Sequence, residues 1–404
     1  MIAPPILPYG RHAIDQDDID AVVNVLRGDW LTTGPIVTQF ERALADYCGA
    51  NDAVSCANGT AALHLACLAL GLGPEDTVIV PSITFVASAN AARLVGAEIV
   101  FADVDPDTGL MDASHLADAI ERATRQGRRP SATVPVHLGG QCSDLAALGR
   151  LAAQHDISVI EDACHAIGTR YVRGNGPTVA IGSCADSALT VFSFHPVKTI
   201  TAGEGGAVTA NDADLARRLR QWRGHGIERE PSAFLNRQAG FEGDTPNPWY
   251  YEMPEIGLNY RLSDINAALA LNQLGKLDRF AAARRALAER YDRRLAALGP
   301  LVRPIGRASG CEPGWHLYAV LIDFAALDIT RGEVMRALRA RGIGSQVHYI
   351  PVHRQPYYRQ RYGDTVLPGA EAYYRRTLSL PLYVGMTVSD VDRVVDALAK
   401  TLVR

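Results

Sequence analysis

Short apolar strands alternate with helices through the first half of this 404-residue chain, and the alternation narrows the fold more than any other feature. Strands that are apolar along their whole length are typical of a parallel sheet covered by helices on its faces. The pattern therefore predicts an α/β fold with a mostly parallel sheet. The strands predicted in this region cover residues 53–56, 77–80, 98–103, 133–137 and 158–162.

Three chemically useful side chains come directly after predicted strands. Thr60 follows the first strand, Asp162 ends the fifth, and Lys198 follows a further apolar run at residues 189–194. In open α/β sheets, ligands gather at the carboxyl ends of the strands. We therefore expect these three side chains to share one edge of the sheet.

The composition of the chain changes after Gly226. Residues 228–255 are rich in Pro, Gly, Asn and aromatic side chains, which predicts a long loop. Long loops in compact enzymes are often functional, and a mobile surface insertion is the alternative interpretation. The remaining sequence indicates a smaller α+β unit. We expect a large α/β domain over residues 1–255 and a small C-terminal α+β domain over residues 256–404.

Composition also bears on the class of protein. The formal net charge of −4 gives no support for nucleic acid as a general partner. No apolar stretch is long enough to span a membrane, and the first residues lack the pattern of a signal peptide. Seven cysteines occur without a CxxC pair, so we expect reduced thiols and no metal site. A cytoplasmic protein that does not bind a membrane is the resulting prediction.

Lys198 lies in a turn between a buried strand and the glycine-rich stretch Gly203-Glu204-Gly205-Gly206. The strand fixes the position of the amine, the glycines allow a ligand to approach, and partial burial lowers the pKa of a lysine. This arrangement suits an amine that condenses with an aldehyde. An ordinary surface lysine is the alternative.

Two further motifs carry groups that could hold a ligand. Gly59, Thr60 and Ala61 open a helix, where free N–H groups favour a phosphate, although simple helix capping is the alternative. Asp162 could hold the protonated nitrogen of a heteroaromatic ring. A helix cap, or a metal ligand together with His165, are its alternatives.

The remaining candidates are an aromatic ring, a hydroxyl, an amide and a guanidinium. Phe85 could stack on a planar ring or belong to the core, and Ser193 could bind phosphate near Lys198. Asn259 and Arg261 precede a helix. A phosphate site, a stacking ring, a carboxylate and a lysine together form the set that pyridoxal phosphate requires.

These residues belong to motifs that resemble the DegT/DnrJ/EryC1/StrS family of nucleotide-sugar aminotransferases. The resemblance covers nearly the whole chain, and several motifs in one order make a chance match improbable. In order, the motifs are Leu31-Thr32-Thr33-Gly34-Pro35, Asn58-Gly59-Thr60-Ala61-Ala62-Leu63, Pro81-Ser82-Ile83-Thr84-Phe85, Glu161-Asp162-Ala163-Cys164-His165, Phe192-Ser193-Phe194-His195 to Lys198, Gly203-Glu204-Gly205-Gly206 and Gly257-Leu258-Asn259-Tyr260-Arg261-Leu262-Ser263-Asp264.

The resemblance implies a fold-type-I enzyme with a seven-stranded sheet, active as a homodimer whose subunits share each site. Lys198 would bind pyridoxal 5'-phosphate covalently and then move protons as the free amine. The other implied cofactor contacts are Asp162 to the pyridine nitrogen, Phe85 on the ring, His165 near the phenolic oxygen, and Gly59, Thr60, Ala61 and Ser193 on the phosphate, with Asn259 reaching it from the neighbouring subunit.

The same resemblance implies the reaction. Family members that act as sugar dehydratases carry histidine in place of the lysine, so Lys198 favours transamination over a dehydratase or lyase. The Phe-Ser-Phe-His form resembles enzymes that aminate C4 of the sugar. The stretches 249–262 and 346–352 are similar to the pseudaminic-acid pathway aminotransferase, which makes UDP-4-amino-4,6-dideoxy-N-acetyl-β-L-altrosamine. L-glutamate and a UDP-sugar are the implied substrates.

By this resemblance His348 and Thr33 lie on the substrate side, and Arg261 is a hypothesis for the carboxylate of the amino donor. Three alternatives stay open. The chain could make another nucleotide 4-amino sugar, of the legionaminic, perosamine or 4-amino-arabinose type. It could act as a dehydratase or lyase with the same cofactor. It could also be a non-catalytic regulatory relative, although the Asp162–Lys198 pair argues against that.

Overall fold

Helices and strands alternate along the part of the chain that the computed structural model describes, residues 6–402. Residues 1–5 and 403–404, at the outer ends of the two predicted domains, lie outside it, as do most of the residues considered for a signal peptide. The helices are α1 (Gln16–Arg27), α2 (Pro35–Cys48), α3 (Gly59–Ala69), α4 (Val86–Leu94), α5 (Ala113–Arg125), α6 (Leu145–Gln154), α7 (Ala213–Arg223), α8 (Arg237–Gly240), α9 (Asp264–Leu274), α10 (Leu277–Leu295), α11 (Arg331–Ala340), α12 (Pro356–Tyr362), α13 (Pro368–Arg376) and α14 (Val388–Leu402). The strands are β1 (Asp52–Cys56), β2 (Thr77–Pro81), β3 (Glu98–Ala102), β4 (Pro130–Thr133), β5 (Ser158–Asp162), β6 (Arg170–Val172), β7 (Thr178–Ala180), β8 (Leu189–Ser193), β9 (Gly206–Ala210), β10 (Phe241–Glu242), β11 (Thr245–Pro246), β12 (Val302–Pro304), β13 (Cys311–Glu312), β14 (Tyr318–Ile322) and β15 (Thr377–Leu380).

The central sheet has seven strands in the order β1-β9-β8-β5-β4-β2-β3. Strand β9 runs antiparallel to its two neighbours β1 and β8, and the other neighbouring pairs are parallel. The sheet is covered on its faces, since every residue of β2 and β9 is buried. The predicted α/β fold with a mostly parallel seven-stranded sheet is confirmed.

The prediction of a strand over residues 133–137 is wrong in its position. Strand β4 ends at Thr133, and the chain continues with Pro135, which has no N–H to donate to a neighbouring strand. Beyond it, Val136 makes a single parallel bridge to Asp162. The proline therefore ends regular pairing and lets the following residues turn towards the edge of the sheet.

The C-terminal part of the chain has its own three-stranded antiparallel sheet, in the order β12-β14-β15. Helix α14 packs on α10 and α11 beside it. Helix α9, which follows the predicted domain boundary at residue 255, packs against α1 and α2. The division at that residue stays a prediction.

The segment predicted as a long loop, residues 228–255, contains short elements of its own. Helix α8 is followed by the two-stranded hairpin of β10 and β11. The ring of Phe234 packs edge-on against Tyr250 at 4.9 Å, which gives the segment a small apolar core.

Of the helices within residues 6–402, none is long and apolar enough to cross a membrane.

Candidate active site

A cavity of about 820 Å³ opens where β1, β2, β5 and β8 end. Parallel strands point their carboxyl ends at the same edge, so residues far apart in sequence meet there. Thr60, Asp162 and Lys198 all line this cavity, as the positions of the strands predicted. The other predicted site residues on its wall are Gly59, Ala61, Phe85, His165, Ser193 and His348.

One end of the cavity is formed by the first turn of α3. The side chain of Asn58 caps this helix, because its Oδ1 accepts a hydrogen bond from the backbone N–H of Ala61 at 2.9 Å. The N–H groups of Gly59 and Thr60 have no acceptor within residues 6–402. Free N–H groups at a helix N-terminus form a binding site for an anion such as phosphate.

Close packing explains why glycine stands at position 59. A Cβ atom built there would lie 2.8 Å from Cβ and 3.1 Å from Oγ of Ser193, and 3.3 Å from Sγ of Cys164. The backbone of α3 therefore touches the end of β8 directly. This contact brings the Ser193 hydroxyl beside the free N–H groups, where it can serve the same anion.

Asp162 is 5% exposed and is held by hydrogen bonds from both sides of its carboxylate. Its Oδ2 accepts from the hydroxyl of Ser88 at 2.6 Å, and its Oδ1 accepts from the backbone N–H of Cys164 at 3.2 Å. Ser88 is in turn bonded to the hydroxyl of Thr84 at 2.7 Å. The chain of hydroxyls fixes the carboxylate on the cavity wall, where it can bind a protonated nitrogen.

Lys198 lies in the turn after β8, where its backbone N–H donates to the carbonyl of His195 at 2.8 Å. Its amine makes no ion pair with the described residues. Burial lowers the pKa of Lys198, and the nearby Cys164 and Asp162 oppose that shift only in part. A lysine with a lowered pKa holds more of the neutral amine, which is the nucleophilic form.

Three buried histidines surround the amine on the cavity wall: His165, His316 and His348. Burial is the largest cause of the lowered pKa of each ring, and the charge of Lys198 adds to it. For His348 the pKa falls to about 3. All three imidazoles are therefore neutral at ordinary pH and add no positive charge to the cavity.

Hydrogen bonds fix two of these rings. The Nδ1 of His348 lies 2.8 Å from the hydroxyl of Ser379 in β15, so the C-terminal sheet holds this side chain. The Nε2 of His165 lies 3.0 Å from the hydroxyl of Tyr349. The Nδ1 of His316 is buried with no partner within residues 6–402.

Phe85 stands on the cavity wall at the N-cap of α4, with 55% of its surface exposed. Its ring centroid lies 6.1 Å from that of Tyr349. A core phenylalanine would be buried, so the alternative interpretation of Phe85 as a core residue is wrong. The exposed ring face is available to stack on a planar ligand.

Three predicted residues do not line the cavity: Thr33, Asn259 and Arg261. Thr33 is exposed and has a left-handed backbone, with φ of 56°. Asn259 is exposed and is held by a backbone bridge to Gly224. The Nε of Arg261 is buried without a partner among the described residues. The functions predicted for these three residues stay predictions.

The cavity wall also contains residues that sequence reasoning missed. Tyr9, Cys164, His316 and Tyr349 line it, and Ser88 supports it from behind Asp162. Three consecutive apolar residues precede Ser88, so no local sequence pattern indicated its role. Within residues 6–402, no group of three or more His, Cys, Asp or Glu side chains is placed to hold a metal ion.

The arrangement fits pyridoxal phosphate on three structural observations. The end of the cavity offers free N–H groups, the wall offers a fixed carboxylate, and an amine of lowered pKa lines the same cavity. A ligand with a phosphate, a basic ring nitrogen and an aldehyde matches these groups in turn. Because Gly59 leaves no room for a side chain, the phosphate end is shaped for close backbone contact.

Comparison with known sequences gives one matching family. The sequence model described as the DegT/DnrJ/EryC1/StrS aminotransferase family matches residues 12–399. The match covers every residue that lines the cavity except Tyr9.

Comparison with solved structures gives relatives over nearly the whole length. PseC from Helicobacter pylori, an aminotransferase involved in the biosynthesis of pseudaminic acid, is 29% identical with a TM-score of 0.86, and the match covers 98% of this chain and 99% of PseC. Spr1654 from Streptococcus pneumoniae, assigned as a sugar aminotransferase and solved in its pyridoxal-phosphate form, is 28% identical with a TM-score of 0.84 and 98% coverage of each chain. DesI, solved in the presence of its TDP-sugar product, is 32% identical with a TM-score of 0.84, and the match covers 99% of this chain and 93% of DesI.

Proposed function

Because the chain belongs to the DegT/DnrJ/EryC1/StrS aminotransferase family, we propose that it transfers the amino group of L-glutamate to C4 of a UDP-linked 4-keto-6-deoxy-N-acetylhexosamine. The proposed product is UDP-4-amino-4,6-dideoxy-N-acetyl-β-L-altrosamine. The chain is a nucleotide-sugar aminotransferase that uses pyridoxal phosphate. The single observation that carries amino transfer is Lys198, an unpaired amine of lowered pKa on the cavity wall.

Each group of the cofactor has a proposed partner in the cavity. The N–H groups of Gly59 and Thr60 and the hydroxyl of Ser193 hold the phosphate, with Ala61 in the same turn. The carboxylate of Asp162 holds the protonated ring nitrogen, and Phe85 lies against the ring. His165 contributes a neutral imidazole. When bound, pyridoxal phosphate supplies an aldehyde that bonds to amines and a ring that takes up electron density.

Lys198 performs the proton transfers that amino exchange requires. Its Nζ would hold the cofactor. Once released, Nζ would accept a proton from one carbon atom and donate it to another. A lysine with an ordinary pKa would stay protonated at neutral pH and could not accept a proton. Burial of Lys198 favours the free amine.

Two observations support the proposed sugar. Residues 249–262 and 346–352 resemble the aminotransferase of the pseudaminic-acid pathway, and the whole chain is similar to PseC. His348, held by Ser379, is the proposed contact on the substrate side. DesI was solved in the presence of a TDP-sugar, so the test below varies the nucleotide independently of the sugar. Thr33 is proposed to face the sugar, and Arg261, whose Nε has no partner among the described residues, is proposed to bind the glutamate carboxylate.

We also propose that the enzyme is a cytoplasmic homodimer with shared sites. Asn259 is exposed and lies outside the cavity of its own chain, as a contact to a neighbouring subunit's phosphate site requires. Large exposed apolar side chains lie near it in sequence, with Met253 58% and Ile256 81% exposed. Exposed apolar clusters are typical of association surfaces.

The test is an incubation of the holoenzyme with L-glutamate and a panel of nucleotide keto sugars. The panel contains UDP- and TDP-linked 4-keto-6-deoxy sugars, with and without an N-acetyl group, and 3-keto sugars. We expect a UDP-linked 4-amino sugar, identified by NMR, and 2-oxoglutarate in equal amount. Product aminated only at C3 would overturn the proposed position. A TDP-sugar used in preference to every UDP-sugar would overturn the proposed nucleotide.

A further inference from the structure

We propose that Tyr349 donates its phenolic hydrogen to an oxygen atom of the molecule bound in the cavity. The proposal rests on the proposed function, because it gives a role within the same site to a residue that had none. The acceptor is either an oxygen on the cofactor ring that carries negative charge or the sugar carbonyl oxygen, on which negative charge develops during the reaction. The two sources share one chemistry and are separated by the experiment below.

Tyr349 lines the cavity, with other aromatic rings beside it. Its ring is stacked on that of His165, with an interplanar angle of 24° and centroids 6.0 Å apart. On another side lies the exposed ring of Phe85. Its hydroxyl lies 3.0 Å from Nε2 of His165, which is an ordinary hydrogen-bond distance.

The direction of that hydrogen bond follows from the other nitrogen of His165. The backbone N–H of Gly139 donates to Nδ1 of His165 at 3.3 Å, so Nδ1 is an acceptor and carries no hydrogen. A neutral imidazole has one N–H, which must then be on Nε2. His165 therefore donates to the oxygen of Tyr349, and the phenolic hydrogen takes no part in this hydrogen bond.

Two features keep the protons in these places. A charged His165 would direct a second N–H at the N–H of Gly139, and burial with the charge of Lys198 lowers the pKa of this ring. Burial raises the pKa of Tyr349 well above its usual value, and the carboxylate of Asp162 adds to the shift. The phenol therefore keeps its hydrogen throughout the ordinary pH range.

The phenolic hydrogen has no acceptor within residues 6–402 other than His165, which is already a donor. Tyr349 is half-buried, and an O–H group shielded from bulk water is normally satisfied by a ligand or by an ordered water. Since Tyr349 lines the cavity, a bound molecule is the acceptor that the geometry leaves. A hydrogen bond there stabilises negative charge on a ring oxygen, or the carbonyl oxygen that leaves during amination.

The test compares wild type with Tyr349→Phe, which removes one oxygen and keeps the ring. Tyr358→Phe is the matched control, because this buried tyrosine uses its hydroxyl inside the protein, 2.8 Å from Oδ1 of Asn90. Four quantities are measured for each protein: the Kd of the cofactor-free form for pyridoxal phosphate, the absorbance band of the bound cofactor, and kcat and KM for the keto sugar. Circular dichroism and the melting temperature confirm that both variants fold.

If the acceptor is on the cofactor, Tyr349→Phe shifts the absorbance band and raises the Kd at least about fivefold. If the acceptor is on the sugar, the band and the Kd stay unchanged, and kcat falls at least about tenfold with little change in KM. The proposal is overturned if the absorbance band does not shift and the Kd, kcat and KM all stay within about twofold of wild type. It is also overturned if Tyr358→Phe changes these quantities equally. A wild-type protein that binds pyridoxal phosphate but aminates no keto sugar would instead contradict the proposed function.

Discussion

The contact between α3 and β8 makes a quantitative prediction for Gly59→Ala. The new Cβ would lie 2.8 Å from Cβ of Ser193, which is about 0.7 Å closer than two carbon atoms approach in ordinary contact. Relief by movement of β8 is costly, because Ser193 is paired with Gly206 in the sheet. Overpacking of this kind costs about 1–3 kcal/mol of unfolding free energy.

A second effect opposes the first. Alanine favours a helix over glycine by up to about 1 kcal/mol, and position 59 is the first residue of α3. The steric cost is the larger of the two, so we expect a net loss of about 1–2 kcal/mol for Gly59→Ala. Because the methyl group also lies 3.1 Å from Oγ of Ser193, it displaces that hydroxyl from the anion site. We expect the Kd for pyridoxal phosphate to rise at least about tenfold.

Urea denaturation of the cofactor-free protein measures the stability, and titration with pyridoxal phosphate measures the Kd. Gly73→Ala is the matched control, since a Cβ there meets nothing within 4 Å, and we expect no significant change in either quantity. The double variant Gly59→Ala/Ser193→Gly removes the steric conflict. It should recover part of the stability and none of the cofactor affinity. If Gly59→Ala were as stable as Gly73→Ala and bound the cofactor equally well, the steric reasoning would be refuted.

Three further predictions concern the other walls of the cavity. Lys198→Ala should lose the absorbance band near the visible edge that borohydride abolishes in wild type, and a persistent band would contradict the assignment. Because burial lowers the pKa of His348 from 6.5 to about 3, the unfolded chain binds a proton in that interval and the folded chain does not. Stability of the cofactor-free protein should therefore fall as the pH drops from 6.5 towards 3, less steeply in His348→Gln, as urea denaturation at each pH would show. Ser88→Ala should weaken cofactor binding about three- to tenfold by loosening Asp162, whereas the control Ser131→Ala, which loses a bond to Asp76, should not.

The fold could be predicted from the sequence because the helices and strands have recognisable local sequence patterns. Helix α1 begins at Gln16, directly after Asp15, whose side chain caps the first turn. Strand β5 was predicted and observed over the same residues, 158–162, which contain the β-branched pair Val159 and Ile160. The displaced strand at 133–137 shows that apolar composition alone does not fix where a strand ends. Apolar composition continued past Pro135, although hydrogen bonding could not.

The sequence predicted the part of the site that is formed by residues next to strand ends. Thr60, Asp162 and Lys198 share an edge because parallel strands share a direction, and that relation can be read from the order of the elements. Asn259 and Arg261 were selected by a motif instead, and they do not line the cavity of their own chain. A motif shows that a residue is used but does not show which subunit's cavity it enters.

The residues that were missed share a physical property. Ser88 bonds to Asp162 across 74 positions, and Tyr349 to His165 across 184, so no local pattern connects either pair. Each nevertheless completes the hydrogen bonds of a residue that was predicted. Because buried polar groups must have partners, predicting Asp162 and His165 already required a donor for the carboxylate and a partner for the imidazole. Hydrogen-bond accounting therefore indicates from the sequence that such residues exist, while only the packing of the chain shows that they are Ser88 and Tyr349.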